Sequence, residues 1–291
     1  MQQIDGNTKT CGLIGCPVEH TLSPLIHNTL AQRMGHNMVY VPFHVEPKNL
    51  EAAIEGAYAL SLGGLNVTVP HKSDVIPYLK EIDPLAKKIG AVNTLVPVEG
   101  GFKGYNTDMI GLQRAMEADG IRLENSEAIV LGAGGVARAV AFMLVENGVE
   151  RVYLCNRSLD RAYEVADDVN DTLEYDKVIP LPLNDYESIP EGKYICIQAT
   201  SVGMYPNVED AIVDCKDLYD RIGVAVDLIY KPSETRFMKF CKKAGVKEVH
   251  NGLKMLLFQG ITAYELWNNV EVDEKLSNEI YNILKEATRV E

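Results

Sequence analysis

Apolar residues along the chain alternate between a period of two and a period near 3.6, which is the pattern of an α/β protein. In the first third of the chain this pattern predicts strands at Cys11–Gly15, Val39–Val45 and Gly64–Val69. It predicts helices at Leu25–Met34 and Lys48–Leu60, and a third from Thr107 or Asp108 to just before Gly120. Ser23 and Pro24 suit the N-cap and the first position of the first of these helices.

A second α/β unit starts near residue 128. Short apolar strands are predicted at Ala128–Leu131, Val152–Cys155, Tyr194–Gln198 and Val224–Leu228. A long helix is predicted to end at about Glu146, and another to carry Ala162, Val165 and Ala166. Strands and helices that alternate at this spacing indicate a parallel, doubly wound sheet. The stretch Gly252–Val290, with the single tryptophan Trp267, is predicted to be helical and to pack back on the first domain.

Composition and charge narrow the class of protein. The chain has 291 residues, of which 46% are hydrophobic and 24% charged, so it is neither disordered nor a small disulfide scaffold. A net charge of −13 opposes nucleic acid and anionic membranes as partners. No apolar run reaches the roughly 18 residues of a membrane span, and Met1–Gly6 lack signal-peptide features. Six scattered cysteines predict buried thiols rather than a metal site or disulfides. A cytoplasmic location is expected.

A glycine-rich segment follows the strand at Ala128–Leu131. The residues Gly132, Ala133, Gly134, Gly135, Val136 and Ala137 match G-x-G-x-x-A between a strand and a helix. In this motif the first glycine allows a tight turn, and the second lets the backbone approach a pyrophosphate at the helix N-terminus. The segment predicts a dinucleotide site, and the alternative is a tight turn without a ligand.

The end of the next strand predicts which cofactor is bound. It reads Asn156, Arg157, Ser158, with Asp160 and Arg161 just beyond. A cation at this point suits the 2′-phosphate of NADP, whereas an acidic residue suits the ribose of NAD. Arg157, Ser158 and Arg161 therefore favour NADP. Asp160 keeps NAD open, and a solvated charged turn is the alternative to both.

Polar residues cluster at two places in the first domain. Asn66 and Thr68 are two apart in a predicted strand and would share a face, and Lys72 follows in the loop after Pro70. His71 is expected to be structural. Asp108 follows a tyrosine, an asparagine and a threonine. Considered by itself, this segment is explained by a helix N-cap. Each cluster by itself fits a purely structural role, and their combination points to chemistry.

In combination these segments resemble the shikimate dehydrogenase family over essentially the whole length. The resemblance rests on GCPVEHTLSPLIHN at Gly15–Asn28, NVTVPHK at Asn66–Lys72, GAVNT at Gly90–Thr94, GYNTD at Gly104–Asp108, the glycine loop with Asn156–Ser158, and GLKMLLFQ at Gly252–Gln259. Two positions depart from the usual family pattern. Thr21 stands where many members have serine, and Gln198 stands where many have asparagine.

The resemblance implies an α/β fold with three parts: a substrate-binding catalytic domain at 1–108, a Rossmann NADP-binding domain at 109–251, and C-terminal helices at 252–291 that return to the first domain. It implies NADP-dependent reduction of 3-dehydroshikimate to shikimate in aromatic amino-acid biosynthesis. Lys72 and Asp108 would form the catalytic pair. The implied substrate-binding residues are Thr21, Ser23, Asn66, Thr68, Asn93, Tyr230 and Gln259. Thr200 and Met255 would border the cofactor.

Two other functions stay open from the sequence. One is a quinate or quinate/shikimate dehydrogenase that uses NAD or both cofactors. The other is a non-catalytic metabolite or nucleotide sensor, since a fold does not fix a function. The presence of both Lys72 and Asp108 favours an enzyme. The expected partner is a small-molecule substrate, and the chain is expected to be a monomer or a homodimer.

Overall fold

The structure is a computed structural model that describes residues 4–288. Its described residues form two compact units. One holds the residues up to Leu112 together with Leu256–Ala287, and the other holds Gln113–Met255 and Thr288. We refer to them as the first unit and the nucleotide unit, and each has its own six-stranded sheet.

The first unit is built on a mixed sheet. Its strands are β1 Lys9–Gly15, β2 Met38–His44, β3 Gly64–Val67, β4 Glu81–Ile82, β5 Thr94–Val98 and β6 Gly101–Tyr105. The strand order is β2-β1-β3-β5-β6-β4. The strands β2, β1 and β3 are parallel, and β5 runs antiparallel to both β3 and β6. The helices are α1 Ser23–Met34, α2 Leu50–Ala59, α3 Pro84–Ile89 and the first half of α4 Thr107–Ala118, with 3₁₀ turns at Pro47–Asn49 and Ile76–Tyr78. The residues of α4 from Gln113 onward belong to the nucleotide unit.

The nucleotide unit has an entirely parallel sheet. Its strands are β7 Glu127–Leu131, β8 Arg151–Asn156, β9 Val178–Pro182, β10 Tyr194–Gln198, β11 Ile222–Asp227 and β12 Glu248–His250. Its helices are α5 Gly135–Glu146, α6 Leu159–Leu173, α7 Lys216–Tyr219 and α8 Arg236–Lys243. The strand order β12-β11-β10-β7-β8-β9 is that of a doubly wound dinucleotide-binding sheet, and it reverses between β7 and β10.

Two C-terminal helices follow, α9 Leu253–Asn268 and α10 Glu274–Ala287. Most of α9 and all of α10 belong to the first unit. There Arg33 of α1 pairs with Glu279 of α10. The predicted helical stretch extends to Val290, which lies outside the described residues.

The predicted fold class is confirmed, and β10 has the predicted bounds. Two local predictions are wrong. The strand predicted to reach Val69 ends at Val67, because the Thr68 carbonyl accepts from the His71 N–H and closes a turn. Ser23 is the first residue of α1 rather than its cap. The helix instead begins on the Leu22 carbonyl, and the Ser23 hydroxyl accepts from Thr21 Oγ1 at 3.1 Å.

Two further properties follow from the described residues. Between residues 4 and 288 no helix combines the length and the apolar character that a membrane crossing requires. All six cysteines lie in this range and are free thiols. Cys11, Cys155, Cys196 and Cys241 are buried, as the sequence predicts for most of them.

The side chain of Trp267 fixes the return of α9 to the first sheet. Its Nε1 donates to the Leu95 carbonyl at 2.9 Å, and the indole covers Gly64 at the start of β3. Gly64 has φ +156°, and a Cβ at this position would collide with the indole ring. Glycine at position 64 therefore allows the close contact between β3 and α9.

We expect Gly64→Ala to lower the free energy of unfolding by about 1–3 kcal/mol, because the added methyl group would overpack the contact with the indole ring. Gly56→Ala is the matched control. Gly56 lies inside α2 with open space at its Cβ position, so alanine there should stabilise the helix by about 0.5–1 kcal/mol. Urea unfolding of both variants measures the difference, and equal effects would contradict the role of Gly64.

Candidate active site

A partly buried ion pair joins two segments that are far apart in sequence. Lys72 lies in the turn after β3, and Asp108 lies in the first turn of α4. Lys72 Nζ donates to Asp108 Oδ2 at 2.6 Å, with 29% and 18% of the two side chains exposed. The structure therefore brings the predicted catalytic pair into direct contact. Asn106 supplies the helix cap, since its Oδ1 accepts from the Met109 N–H, and the Asp108 carboxylate is engaged with Lys72 instead.

Asn93 connects the segments that carry this pair. Its Oδ1 accepts from the backbone N–H of Thr107 at 2.7 Å, next to Asp108. Its backbone carbonyl accepts from Val67 of β3, and its N–H donates to the Tyr105 carbonyl. The neighbouring Val92 N–H donates to the Lys72 carbonyl at 2.8 Å. One buried residue and its neighbour thus fix the backbone on both sides of the ion pair.

The orientation of the Asn93 amide leaves a donor available. Its oxygen accepts from Thr107 Oγ1 and Thr94 Oγ1, each at 3.1 Å, in addition to the Thr107 N–H. Within residues 4–288 its Nδ2 has no hydrogen-bond partner in the protein. An amide held in this way can donate to a carboxylate or a hydroxyl of a ligand.

Asn66 lies at the end of β3 in a closed polar network. Its Nδ2 donates to Thr94 Oγ1 at 3.0 Å and to the Asn93 carbonyl at 3.2 Å. Its Oδ1 accepts from the Tyr40 hydroxyl at 2.8 Å. The side chain is buried, and it also lies beside the His27 ring. Nothing in the sequence around Tyr40 indicates this role, because the contact joins β2 to β3 across β1.

His27 lies beneath this network in α1. Its ring stacks on Tyr40, with 4.2 Å between centroids, and tilts against Trp267 at 5.0 Å. Burial lowers the pKa of His27 to about 3, and the neighbouring Asn66 side chain opposes that shift. The imidazole is therefore neutral at physiological pH.

The other predicted substrate residues of the first unit lie on three segments. Thr21 Oγ1 donates to Ser23 Oγ and accepts from the Ser23 N–H. Thr68 is half-buried, and its N–H donates to the Ile14 carbonyl at the end of β1. Gln259 of α9 packs directly against Gly111 of α4, where a Cβ would strike the Gln259 backbone. Gly111 lies one turn after Asp108, so the same face of α4 carries both the carboxylate and the contact to Gln259. As expected, His71 is structural: it is buried, with Nε2 2.7 Å from the Val45 carbonyl.

The glycine-rich turn of the nucleotide unit joins β7 to α5 at the point where the strand order reverses. Gly132 has φ +113°, and a Cβ there would meet Thr200 after the adjacent strand β10. Gly134 is the N-cap of α5. The Cβ positions of Gly134 and Gly135 face open space, so side chains there would fill the volume above the helix N-terminus. The first backbone N–H groups of α5 have no partner within the helix and can bind phosphate oxygens.

The loop after β8 holds the predicted cofactor-selecting residues. Asn156 Nδ2 donates to the Ser158 carbonyl at 2.9 Å, and Ser158 Oγ caps α6 by accepting from the Arg161 N–H. Arg157 is exposed, and within the described residues its guanidinium has no ion pair. Arg157 and Asn156 line a groove of about 490 Å³ together with Thr200. A groove of this size suits part of a nucleotide.

Further polar residues lie at or just after the carboxyl ends of β10 and β11. Thr200 donates its N–H and its hydroxyl to Gln198 Oε1, and the two residues form a tight polar turn. Burial raises the pKa of Asp227 to about 6, and hydrogen bonds donated by the Thr235 hydroxyl and the Ile229 N–H oppose this shift. Tyr230 is half-buried, and burial raises its pKa. Met255 is half-buried at the start of α9.

The parallel sheet, its strand order and the glycine turn at its switch point are those of the Rossmann class of dinucleotide-binding α/β proteins. Comparison with known proteins defines the group within this class. The family model described as shikimate dehydrogenase substrate binding domain matches residues 13–95, and the model described as shikimate / quinate 5-dehydrogenase matches residues 114–228. The chain belongs to the shikimate dehydrogenase family.

Individual members of this family align with the chain over most of their length. The chain is 38% identical over 270 residues to a protein named shikimate dehydrogenase (NADP(+)) from Halothermothrix orenii, covering 92% of this chain and 93% of that protein. It is 42% identical over 269 residues to one of the same name from Methanocaldococcus jannaschii, covering 92% and 94%. The crystal structure of shikimate 5-dehydrogenase from Listeria monocytogenes in complex with shikimate and NAD superposes with a TM-score of 0.88 at 31% identity, covering 98% and 99%.

The neutral, buried state of His27 predicts how stability depends on pH. The unfolded chain takes up a proton at this residue below pH ~6.5, whereas the folded chain does so near pH 3. Stability from His27 is therefore present above pH ~6.5 and falls as the pH is lowered toward 3, by up to about 1.4 kcal/mol per pH unit. In His27→Gln the free energy of unfolding should fall less steeply with acid than in the wild type.

Urea unfolding at several pH values between 7 and 4 measures these slopes. His20→Gln, which replaces an exposed histidine on the loop before α1, controls for the loss of one imidazole. Parallel curves for the wild type and His27→Gln would contradict the assignment.

Proposed function

We propose that this chain is an NADP-dependent shikimate dehydrogenase, which reversibly reduces 3-dehydroshikimate to shikimate in chorismate and aromatic amino-acid biosynthesis. The observation that carries the proposal is the Lys72–Asp108 ion pair, because it joins a cation and a carboxylate at 2.6 Å in a half-buried place. Membership of the family and the names of the relatives supply the reaction.

In this proposal the chain provides orientation and electrostatics, and the bound nicotinamide supplies the hydride. As the substrate carbonyl oxygen gains negative charge, the Lys72 ammonium stabilises it and delivers a proton. Asp108 uses Oδ2 to hold Lys72. Its other oxygen can accept from a substrate hydroxyl. In the reverse direction the same pair removes the hydroxyl proton.

The substrate contacts are proposed from the same geometry. Asn93 Nδ2 and the hydroxyls of Thr21, Ser23 and Thr68 are donors for the carboxylate and hydroxyls of the substrate. Asn66 is a proposed contact for a substrate hydroxyl. Gln259 of α9 is another, since it packs against the face of α4 that carries Asp108. Tyr230 stays a predicted substrate contact.

The nucleotide unit fits a pyridine dinucleotide. The N–H groups from Gly132 to Ala137 would hold the pyrophosphate, in the open space over Gly134 and Gly135. Arg157 is free to bind a 2′-phosphate through parallel hydrogen bonds. Asn156, Ser158, Arg161, Thr200 and Met255 complete the proposed cofactor site. These residues support NADP, and the names of both relatives agree with this cofactor.

A quinate/shikimate dehydrogenase that uses NAD is the second candidate. The family model of the nucleotide unit covers quinate dehydrogenases, and the Listeria monocytogenes structure contains NAD. Thr21 opposes quinate as a substrate, because its methyl group narrows the site where the substrate carboxylate would bind and where quinate carries an additional hydroxyl.

We further propose that the enzyme works in the cytoplasm, since six free thiols suit a reducing compartment. We expect it to act as a monomer or a homodimer on a small-molecule substrate, with neither nucleic acid nor a membrane as a partner.

A spectrophotometric assay tests the proposed function. The reduced nicotinamide band is followed with shikimate or quinate as the substrate and with NADP or NAD as the cofactor, in four combinations. Shikimate with NADP should give the highest kcat/KM. Higher values with quinate or with NAD would favour the second candidate, and no turnover in any combination would favour a sensor.

The variant Lys72→Ala should lower kcat by about 10²–10⁴-fold, as is typical when a general acid–base is lost. Asp108→Asn should also lower kcat without a comparable loss of melting temperature, because Asn106 and not Asp108 caps α4. Lys103→Ala is a matched control in the same unit: 28% of the Lys103 side chain is exposed, and its Nζ lies 4.0 Å from Glu81. A near-normal kcat in Lys72→Ala, or equal losses in Lys103→Ala, would refute the assignment.

A further inference from the structure

The groove beside Arg157 has a second arginine, which no sequence motif indicates. Its lining includes Asn156 at the end of β8, Leu183 after β9 and Thr200 after β10. The segment between β10 and α7 adds Glu209, and α8 adds Arg236. Arg157 and Arg236 are almost 80 positions apart in the sequence, and both line this one groove.

The guanidinium of Arg236 is held in place on two sides. Its Nη1 lies 3.2 Å from Glu209 Oε2, and its Cζ lies over the ring of Phe240 at 5.1 Å from the centroid. The Thr235 side chain caps α8 by accepting from Met238, so the backbone under Arg236 is also fixed. Among the described residues the remaining N–H groups of Arg236 have no partner. They are therefore available to an anion in the groove.

We infer that Arg236 is a second guanidinium for the 2′-phosphate of the cofactor and that it determines, with Arg157, the preference for NADP over NAD. The inference rests on the proposed use of a pyridine dinucleotide. Arg157 and Arg236 line one groove, and the exposed Glu209 neutralises only part of the charge of Arg236. A phosphate monoester carries nearly two negative charges and can accept hydrogen bonds from both. Arg161 does not line the groove, so its predicted contact with the cofactor lacks this support.

The carboxylates that line the groove determine whether each substitution should strengthen or weaken phosphate binding. Glu209, Asp210 and Asp214 also line it and oppose a phosphate. Glu209 has two effects, because it orients Arg236 and also neutralises part of its charge. The ion pair is exposed, with 42% of the Arg236 side chain and 74% of the Glu209 side chain accessible, so it contributes little stability. Removing the Glu209 charge should therefore strengthen phosphate binding, whereas removing the Arg236 charge should weaken it.

The test uses calorimetric titration of the full chain with adenosine 2′,5′-bisphosphate and with 5′-AMP, which differ only in the 2′-phosphate. Arg236→Gln should weaken binding of the bisphosphate by about 3–30-fold and leave 5′-AMP within about twofold. Glu209→Gln should tighten binding of the bisphosphate by about 2–5-fold. The ratio of kcat/KM for NADP and NAD should change in the same directions. Lys242→Gln is the matched control. Lys242 lies on the same helix as Arg236, and the substitution removes a cation from an exposed ion pair with Glu234.

The outcomes separate this inference from the proposed function. A wild type that prefers the bisphosphate, together with an Arg236→Gln variant that keeps the full preference, would overturn the role of Arg236 alone. Equal weakening of both ligands in Arg236→Gln and Glu209→Gln would show that the ion pair only supports the loop, which also overturns it. A wild type that binds both ligands equally would overturn the inference and the proposed choice of NADP together, and the shikimate assay would still test the reaction.

Discussion

The buried amide of Asn93 is the constraint on which the candidate site of the first unit depends. Its oxygen binds the N–H of Thr107, its backbone joins β3 to Tyr105, and the adjacent Val92 binds the Lys72 carbonyl. Buried polar groups without partners are costly, so these bonds favour one arrangement of the segments. Lys72 and Asp108 come from different elements. The backbone beside Asp108 is held by Asn93, and the backbone of Lys72 is held by its neighbour Val92. Their distance is therefore set by the fold rather than by the two side chains.

In the nucleotide unit, close contact of the backbone at a glycine, rather than a buried side chain, positions the candidate site. Gly132 leaves β7 at a positive φ and passes close to Thr200 after β10, at the point where the strand order reverses. A side chain at Gly132 would meet Thr200. The Cβ positions of Gly134 and Gly135 meet no other atom, so the start of α5 stays open at the proposed site of the pyrophosphate. Side-chain hydrogen bonds organise the site of the first unit, and missing side chains organise this one.

Sequence patterns were sufficient where one segment decides its own structure. The apolar run at β10 and the glycine turn after β7 were predicted because burial and turn chemistry act within a few residues. The two-residue strand β4 and the short strand β12 were missed, because their pairing partners lie elsewhere in the chain. The prediction of Ser23 as a cap failed for a related reason. Thr21, two residues earlier, engages the Ser23 hydroxyl and competes with the capping role.

The same distinction limits what a sequence can show about a site. Lys72 and Asp108 were paired by resemblance to a family, since 36 positions separate them and no local pattern brings them together. Arg157 was found because it follows a strand directly. Arg236 lies at the start of a helix in another part of the chain and shares a groove with Arg157 only in the folded unit. A charge acts through space. The residues that determine which cofactor binds therefore need not lie in the sequence motif that predicts the cofactor. The proposed preference for NADP therefore depends on the whole groove, and the loop after β8 supplies one part of it.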